Sequence, residues 1–355
     1  MTREGTEQVL TMGVEEEFLL LEPDGTPAPV APAVVRRAGL DEQIKPEFMA
    51  YQVETATAVV TDLAGLGREL RRLRLIAAEA ADREGVRLVA SGAVPFASGP
   101  QVVVTDSERY RDLARRFPGA AAYGTACGCH VHIGVADREL ATAVLTRLRP
   151  WLPALLALTV NSPIAGGGDT GWASYRYHAQ MRWPTFRPPG IWAGADRYDE
   201  AVRALIATGA AADASGIYFL ARLSPRYPTI EVRVGDTCLE AHDTVLFAAA
   251  VRALVATLIE DVRRRVKVLP EREATIRAHL LNAAFGHTGT AALLRRIEPE
   301  LDRTGETDEV HAGFERLRRT GTGADRQRRL WRAYGASKSF VDALAEATAP
   351  VAAVN

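Results

Sequence analysis

The segment GVEEEFLLL, residues 13–21, places three consecutive carboxylates directly before four large apolar side chains. Such a run is typical of a β-strand, whose side chains alternate between two faces. Glu15 and Glu17 would then share one face, and Glu16 would share the other with Phe18 if no bulge interrupts the alternation. Like charges on one face repel each other unless something positive lies between them. The segment therefore predicts either a charged strand edge paired with arginines or a divalent cation held by carboxylate oxygens.

Three further glutamates interrupt segments that are otherwise apolar. Glu47 and Glu54 lie in KPEFMAYQVET, and Glu231 lies in YPTIEVRVGD. A buried carboxylate is costly unless it is paired with a cation or bound to a metal. A salt bridge would explain each glutamate on its own, since Arg233, for example, lies two residues after Glu231 on the same strand face. Both explanations stay open for these positions.

Two histidines show the same alternation in the segment ACGCHVHIGV. His130 and His132 would lie on one strand face, and Cys127 and Cys129 on the other. Because the two residue types then point apart, we interpret the cysteines as small core residues and not as ligands of a zinc site. The histidine pair is a candidate for contact with a metal or a phosphate group.

Hydrophobic periodicity predicts strands that alternate with helices, and helices alone after about residue 271. The predicted strands are Val14–Leu21, Ile44–Glu54, Val86–Ser91, Cys129–Val135, Ile217–Leu223 and Thr229–Val234. The clearest helices begin at the N-cap Asp62, at Glu139, with a break near Pro150 and Pro153, and at Ala241. No repeat or long linker divides the chain, so we expect one mixed domain over residues 1–355. Residues 161–190 read as a long loop of the kind that often carries function.

Composition narrows the class of partner and the compartment. The 355 residues have a formal net charge of −1 without a block of one sign, so small molecules are expected as partners, and nucleic acids and membranes are not. Three cysteines are too few for a disulfide framework and favour a reducing compartment, the cytoplasm. The N-terminus lacks the apolar core of a signal peptide, and no apolar stretch is long enough to span a bilayer.

The candidate ligands indicate the kind of cofactor. Oxygen ligands in excess favour Mg²⁺ or Mn²⁺ over zinc. A groove with both carboxylates and arginines suits a nucleotide triphosphate that is bridged by several cations. Neither a P-loop nor a GxGxxG motif occurs between a strand and a helix, so ATP would bind without a glycine-rich phosphate loop.

Five motifs, in order along the chain, resemble those of one known family. They are GVEEEF, CHVHIGV, the set NSP, DTGWASYR and RWPT, then PTIEVRVGDTCL, and TGADRQRRL, spread over about residues 12–345. In these motifs the chain is similar to the glutamate–cysteine ligase type 2, or carboxylate–amine ligase, family. The resemblance implies an α+β catalytic fold like that of glutamine synthetase, with a curved, mainly antiparallel sheet lining the active site and helices packed behind it.

The resemblance also implies roles for individual residues. The acidic positions that would hold two or three Mg²⁺ ions around the ATP phosphates, with Mn²⁺ able to substitute, are Glu15, Glu17, Glu47, Glu54 and Glu231. Either His130 or His132 would add a metal or nucleotide contact, and the resemblance of this short strand does not decide which; His130 is included among the metal ligands, and both histidines are expected near the nucleotide. Arg233 would lie near the transferred phosphoryl group and would act in catalysis together with Glu54. The expected substrate contacts are Tyr175, Arg176, Arg182 and Trp183, of which Arg176 would bind a carboxylate.

The implied reaction is ATP-dependent amide formation. The γ-carboxylate of glutamate would take the γ-phosphoryl group of ATP to give an acyl phosphate, and the amine of an amino acid would then displace phosphate. A metal-dependent amidohydrolase built on the HxH pair and nearby glutamates is the alternative enzyme, and a nucleotide-binding descendant without turnover is a non-enzymatic one. The sequence leaves a homo-oligomer open.

Two segments depart from the family pattern. Residues 162–168 read SPIAGGG and residues 281–286 read LNAAFG, where related sequences carry bulkier aromatic and cationic residues. Related sequences also tend to carry a tryptophan near Gln180. These losses motivate the hypothesis that the second substrate is an amino acid other than cysteine. Glu16 has no assigned role, and we expect its substitution to be tolerated far better than that of Glu15 or Glu17.

Overall fold

Antiparallel strands form the part of the fold that positions the candidate residues. A computed structural model describes residues 9–40, 42–96, 102–123, 126–267 and 271–350, so that residues 1–8 of the N-terminal stretch considered above lie outside it. The strands in the described residues are β1 (Met12–Leu21), β2 (Ile44–Pro46), β3 (Gln52–Ala56), β4 (Arg87–Val89), β5 (Gly128–Gly134), β6 (Ile164–Ala165), β7 (Gly168–Asp169), β8 (Ala221–Leu223) and β9 (Thr229–Asp236).

Seven of these strands form one sheet in the order β2-β3-β1-β5-β9-β8, and β4 pairs with the end of β1. Every pairing is antiparallel, as it is in the separate β6–β7 hairpin. The expected α+β class with an antiparallel sheet is confirmed. Because β1 lies between β3 and β5, its glutamates are not on a sheet edge, and the charged-edge explanation does not apply.

Helices occupy most of the remaining chain. They are α1 (Ala31–Ala38), α2 (Leu63–Arg83), α3 (Glu108–Arg116), α4 (Pro118–Tyr123), α5 (Arg138–Leu148), α6 (Leu152–Thr159), α7 (Tyr175–Gln180), α8 (Ala195–Ala207), α9 (Ala241–Arg263), α10 (Glu273–Ala284), α11 (Ala291–Thr304), α12 (Thr307–Thr320), α13 (Gly323–Tyr334) and α14 (Lys338–Thr348). After residue 271 the described part of the chain contains helices alone, as predicted.

Local sequence signals account for the helix boundaries that were predicted. The Asp62 side chain accepts a hydrogen bond from the Gly65 amide at 2.7 Å and caps α2, whose leucines at positions 63, 66, 70 and 73 are all buried. The predicted break near Pro150 is a short 3₁₀ turn over Arg149–Trp151 that separates α5 from α6.

Three predicted segments differ from the structure. The strand expected over residues 44–54 is two strands, because residues 47–51 turn the chain from β2 back into β3. The strand expected from Ile217 begins only at Ala221, since a 3₁₀ turn over Ala214–Gly216 precedes it. The long loop at 161–190 contains both the β6–β7 hairpin and α7.

One face of the sheet packs against the helical layer. Val14 of β1, Val131 of β5 and Val232 of β9 are buried in one apolar core with residues of α5, α6 and α9. Since strand side chains alternate, the odd-numbered neighbours on β1 and the histidines of β5 face the other way. The helical layer thus fixes which face of the sheet is free to carry polar side chains.

Glu16 points toward this helical layer and forms a buried ion pair. Its carboxylate accepts hydrogen bonds from Arg74 Nη2 at 2.6 Å and Nε at 3.0 Å, and from Thr244 Oγ1 at 2.6 Å. The side chains of Glu16 and Arg74 are 0% and 1% exposed. Removal of Glu16 would leave a buried guanidinium without its counter-charge, so we expect a cost in stability, whereas the predicted tolerance concerned turnover.

The three cysteines are free and buried, which agrees with their interpretation as core residues. Within the described ranges, no helix combines the length and apolar character needed to cross a membrane.

Candidate active site

A cavity of about 260 Å³ lies over the polar face of the sheet. Ten of the predicted site residues line it: Glu15, Glu17, Glu47, Glu54, His130, His132, Arg176, Trp183, Glu231 and Arg233. The sequence prediction placed them in motifs up to about 220 residues apart, and the antiparallel sheet brings them together. Tyr175 and Arg182 are not among the lining residues.

Strand register explains how residues from separate motifs meet. Glu15 of β1 lies opposite His130 of β5, and Glu17 lies opposite Glu54 of β3. On the next pair of strands, His132 lies opposite Glu231. Cross-strand partners have Cβ atoms about 5 Å apart, so these carboxylates and imidazoles form one continuous polar surface.

Glu15, His132 and Glu231 form a group that could hold a metal ion. Each offers one ligand atom, and these atoms lie within 4.8 Å of one another. A contact of His132 Nδ1 with Thr229 Oγ1 at 2.9 Å orients the imidazole, while Nε2 is buried without a hydrogen-bond partner, 3.6 Å from Glu15 Oε1. A buried nitrogen without a partner between two carboxylates fits a bound cation. The histidine of this group is His132, and His130, which the sequence prediction named among the metal ligands, lies beside the group.

His130 lies nearby and interacts with Glu15 and Glu17, the two glutamates of β1 that face the cavity. Its Nδ1 is 3.3 Å from Glu15 Oε2 and 3.3 Å from Arg233 Nη1, and its Nε2 is 3.8 Å from Glu17 Oε1. Burial, together with the charge of Arg233, lowers the pKa of His130 to about 4. The ring is therefore neutral at physiological pH and can accept a hydrogen bond or a metal ion.

Glu17, Glu47 and Glu54 form a crowded acidic group. Burial, with the charge of Glu47, raises the pKa of Glu17 to about 7. Burial also raises the pKa of Glu47, and burial with the charges of Glu15, Glu47 and Glu17 raises the pKa of Glu54 well above its usual value. Such a group lacks sufficient positive charge of its own, and a divalent cation would supply it.

Glu231 is held by two arginines. Arg222 donates to it from Nε at 2.8 Å and from Nη2 at 3.2 Å, and Arg233 Nη1 donates to its Oε1. Although burial alone would raise the pKa of Glu231, the charges of Arg233 and Arg222 hold it well below its usual value. The salt bridge to Arg233 that the sequence suggested is confirmed, and it lies inside the cavity.

The sequence interpretation missed Arg222. It lies opposite Glu231 in the β8–β9 pairing and is 7% exposed, and its Nη1 donates to the carbonyl of Ile217 at 2.8 Å. The signal that could have identified Arg222 is a charged residue in an otherwise apolar strand segment, close in sequence to a second such segment that contains Glu231.

Arg176 lies at the base of the cavity and its guanidinium contacts the backbone. It donates from Nη1 to the carbonyl of Val234 and from Nη2 to that of Arg233, both at 3.3 Å. A Cβ at Gly128 would lie 2.5 Å from Arg176 Nη2, so only glycine allows this approach. The Gly128 amide also donates to Glu17 Oε2 at 2.6 Å, which places the backbone of β5 directly beside the acidic group.

A buried polar network holds α7, which carries Arg176. Asp236 accepts hydrogen bonds from Ser162 Oγ at 2.6 Å and Ser174 Oγ at 2.7 Å, and the Arg176 amide donates to Ser162 Oγ at 3.0 Å. Segments of two of the five motifs, NSP and DTGWASYR from one and VGDT from the other, thus meet at one buried carboxylate.

An aromatic wall lies at one side of the cavity. The Trp183 ring contacts Phe48, Tyr218 and Phe117 in edge-to-face arrangements with centroids 5.2–6.0 Å apart. Arg182 is exposed to solvent and Tyr175 is half-buried beside His178, with ring centroids 5.4 Å apart. The predicted substrate contacts of these last two residues are not supported by their positions.

The segment 281–286 contacts Trp172 and Ala173, which follow the segment 162–168 in the chain, and these contacts lie away from the cavity. Trp172 stacks on Phe285 with ring centroids 4.0 Å apart, and the Ala173 amide donates to the Ala284 carbonyl at 2.8 Å. No residue of 164–169 or of α10 is among the described residues that line the cavity. The loss of bulky residues there does not enlarge the cavity directly.

Comparison with known sequences assigns the chain to a family. A sequence model of the glutamate–cysteine ligase family 2 (GCS2) matches residues 11–346. The chain belongs to this family. It is therefore an ATP-dependent ligase of the amide-forming, glutamate–cysteine ligase-like class, for which ATP and a divalent cation are the general requirements.

Individual relatives match over nearly their full length. A protein of Mycolicibacterium vanbaalenii, provisionally named glutamate–cysteine ligase 2-2, is 43% identical and aligns with 96% of this chain and 97% of its own. A provisionally named glutamate–cysteine ligase 2 of Salinispora tropica is 44% identical, with 97% and 96% of the two chains covered.

Solved structures show the same fold at low sequence identity. The glutamate–cysteine ligase of Francisella tularensis, determined in complex with AMP, superimposes with a TM-score of 0.69 at 13% identity, covering 98% of this chain and 90% of that one. A bifunctional glutathione synthetase from Pasteurella multocida gives a TM-score of 0.72 at 16% identity, covering 95% of this chain and 52% of that one.

Proposed function

We propose that the protein joins the γ-carboxylate of glutamate to the amine of an amino acid through an acyl phosphate, with release of ADP and phosphate. The observation that carries this proposal is the arrangement of five carboxylates from three strands and one turn around Arg233 and Arg176 in a single cavity. A polyphosphate can bind such an acidic surface only when cations bridge the two. Family membership adds the ATP-dependent ligase class.

For the metal, we propose that Glu15, His132 and Glu231 hold one Mg²⁺ and that the acidic group of Glu17, Glu47 and Glu54 holds one or two more, with Mn²⁺ able to substitute. His130 is a further metal ligand or a nucleotide contact in this proposal, since it lies within 3.3–3.8 Å of Glu15 and Glu17. When bound, such cations offset the negative charge of the ATP phosphates. The buried unpaired Nε2 of His132 and the raised pKa values of the acidic group support this assignment.

The residues of the chain have distinct parts in the proposed reaction. The γ-carboxylate oxygen of glutamate attacks the γ-phosphorus of ATP, and the bond from that phosphorus to the bridging oxygen of ADP breaks. Arg233, held in place by Glu231, offsets charge that develops on the transferring group. The acceptor amine then forms the amide bond as phosphate leaves, and a carboxylate lining the cavity, for which Glu54 is the candidate, takes the proton that the amine loses.

Positioning and charge neutralisation supply the catalysis in this scheme, so no serine or cysteine nucleophile is needed. All three cysteines are buried, and burial raises the pKa of each thiol, which argues against a thiolate nucleophile. Nothing in the comparisons favours the amidohydrolase alternative.

We propose an amino acid as the acceptor, either cysteine or another. The hypothesis of a different acceptor can no longer rest on the hairpin and helix α10, which lie away from the cavity. Selectivity would instead come from the wall formed by Phe48, Trp183 and Tyr218. We also propose that the whole chain acts as one catalytic domain, because the cavity draws on residues from position 15 to position 233.

The test is ADP release by the purified protein with glutamate, ATP and Mg²⁺ and a panel of amino acids, with mass spectrometry of the products. We expect a γ-glutamyl amide and ADP in equal amounts, both abolished in Glu231→Gln. Hydrolysis of amides without ATP would instead support the hydrolase. If cysteine gives the highest kcat/KM of the panel, the altered-acceptor hypothesis fails while the ligase assignment stands.

A further inference from the structure

A second cavity, of about 320 Å³, lies among α2, α9 and α12 and shares no lining residue with the first. Its floor is apolar and includes Leu63, Leu246 and Val310, which are all buried. Two glycines, Gly67 of α2 and Gly313 of α12, also line it. This volume lies at the lower end of the range for small-molecule pockets.

The rim of this cavity is cationic. Arg68 and Arg71 are exposed on α2, and within the described part of the chain neither forms a hydrogen bond or an ion pair. Arg316 of α12 lies across from them; its Nη2 donates to the His242 carbonyl at 3.3 Å, and its Nε is buried without a partner. Three guanidinium groups from two helices thus surround one opening.

The acidic groups near this rim are largely engaged elsewhere. Arg326 donates to Glu240 at 2.6 Å and also to Asp243, so one guanidinium from outside the cavity offsets about half of the charge of these two carboxylates. Asp243 lies 3.6 Å from Arg316 as well. Glu309 is the acidic side chain that lines the cavity itself, against three arginines. The rim therefore keeps net positive charge.

A second buried nitrogen without a partner lines the same cavity. Nε2 of His242 has no hydrogen-bond partner, although it lies 3.2 Å from Glu240 and 3.3 Å from Asp243. Two carboxylates thus lie within reach of this nitrogen, whereas the buried Nε of Arg316 has no hydrogen-bond partner. Buried polar nitrogens are normally paired, so the Arg316 Nε indicates a missing acceptor in this cavity. An oxyanion supplies acceptor oxygens in a geometry that suits guanidinium groups.

The glycines explain why the cavity is open. At Gly313 an added Cβ would lie 2.9 Å from Leu246, which means that α12 approaches α9 as closely as glycine allows. At Gly67 an added Cβ would meet Arg71 Nη1 at 3.4 Å, which places that guanidinium over the part of the cavity that Gly67 lines. A side chain at either position would occupy the space above the apolar floor.

We propose that this cavity binds a small molecule with one oxyanion, a carboxylate or a phosphate, on a short apolar body. The oxyanion would lie between Arg71 and Arg316, and the apolar part would cover Leu246 and Val310. The ligand differs from the substrates of the proposed reaction in having no need of a metal ion. The site is independent of the ligase assignment, since none of its residues lines the active-site cavity.

Calorimetric titration of the full chain, in the absence of ATP and Mg²⁺, tests this proposal. The probes are butyrate, butyl phosphate and inorganic phosphate, with 1-butanol as the neutral control. We expect saturable binding of butyrate or butyl phosphate, at least about tenfold weakened in Arg71→Gln and in Arg316→Gln, which each lose a charge-assisted contact. Arg36→Gln, a matched change of an exposed helical arginine outside the cavity, and Arg233→Gln, in the first cavity, should bind as the wild type does.

The result separates the two sites. Binding that is lost in Arg233→Gln but kept in Arg71→Gln would place the anion in the active-site cavity and overturn the proposal. Equal affinity for inorganic phosphate and butyl phosphate would show that the apolar floor takes no part and would overturn it too. The absence of saturable binding of all three probes would also overturn the proposal, and it would leave the ligase assignment unaffected.

Discussion

Removal of the Glu16 charge should damage stability and spare the chemistry, in contrast to its two neighbours. Glu16→Gln leaves Arg74 buried without a counter-charge, because the carboxylate that now accepts three hydrogen bonds at 2.6–3.0 Å becomes a neutral amide. Breaking a buried pair by loss of one partner costs about 3–5 kcal/mol. At roughly 2 °C per kcal/mol for a chain of this size, the expected fall in Tm is about 6–10 °C.

The assay measures thermal unfolding and ADP release for matched single variants. Glu15→Gln and Glu17→Gln should lose turnover with little loss of Tm, since these carboxylates line the cavity. At assay temperatures well below its own Tm, Glu16→Gln should keep the kcat of the wild type, because its side chain faces the helical layer. Arg74→Met combined with Glu16→Gln should cost less than the sum of the two single changes, as expected for direct partners.

Two results would refute this reasoning. If Glu16→Gln unfolds at the wild-type temperature, the ion pair does not stabilise the fold as described. If all three glutamine variants lose turnover equally and keep their Tm, the register of β1 is wrong.

Three further variants test the site. Burial raises the pKa of Glu17 from 4.5 to about 7. The stability that this carboxyl gives the metal-free protein is therefore complete below pH 4.5 and is lost as pH rises through 7. In EDTA, the free energy of unfolding of Glu17→Gln should gain up to about 3 kcal/mol over that of the wild type across this pH window, measured as Tm against pH. Arg222→Lys cannot hold Glu231 with two hydrogen bonds and should lower kcat/KM for ATP by about 10–100-fold, measured by ADP release. Gly128→Ala forces Arg176 to move and should cost about 1–3 kcal/mol of stability or an equivalent loss of kcat/KM.

Each of these variants has a comparison that could contradict it. Gly119→Ala, in α4, where an added Cβ meets no atom within 4 Å, should leave kcat/KM unchanged and should not lower Tm, and a Gly128→Ala variant that behaves the same way would show that the contact is not tight. A flat pH profile for the Tm difference of Glu17→Gln would mean that this carboxyl does not titrate in the predicted window. Wild-type kinetics in Arg222→Lys would show that Arg222 takes no part in the reaction.

The face of each candidate residue on β1 and β5 could be predicted from the sequence because strand alternation is local. The period of two placed Glu15 with Glu17 and His130 with His132, and all four line the cavity. The same rule placed Glu16 on the opposite face. What Glu16 contacts there could not be predicted, since Arg74 lies 58 residues further along the chain and on a helix.

Residues outside regular strands were harder to place. Arg182 and Trp183 follow α7 in an irregular turn, where no periodicity indicates which of two neighbours faces inward, and only Trp183 does. Arg222 was missed because the pairing of β8 with β9, which sets it opposite Glu231, depends on where β8 begins. That His132 is the histidine that groups with Glu15 and Glu231 likewise depends on distances between strands, which sequence spacing does not contain.

The contacts of Arg74 have a consequence for how the protein folds while it is being synthesised. Arg74 Nη1 donates to the carbonyl of Thr348 at 3.0 Å, and the Thr348 hydroxyl accepts from the Ala90 amide at 2.8 Å. All strands that carry the candidate ligands are complete by residue 236, about 110 residues earlier. At roughly 5–20 residues per second, a ribosome would hold the finished sheet for several seconds before the residue that completes the contacts behind β1 emerges. We therefore expect that a nascent chain released before α14 would carry every catalytic glutamate and still fail to hold them in register.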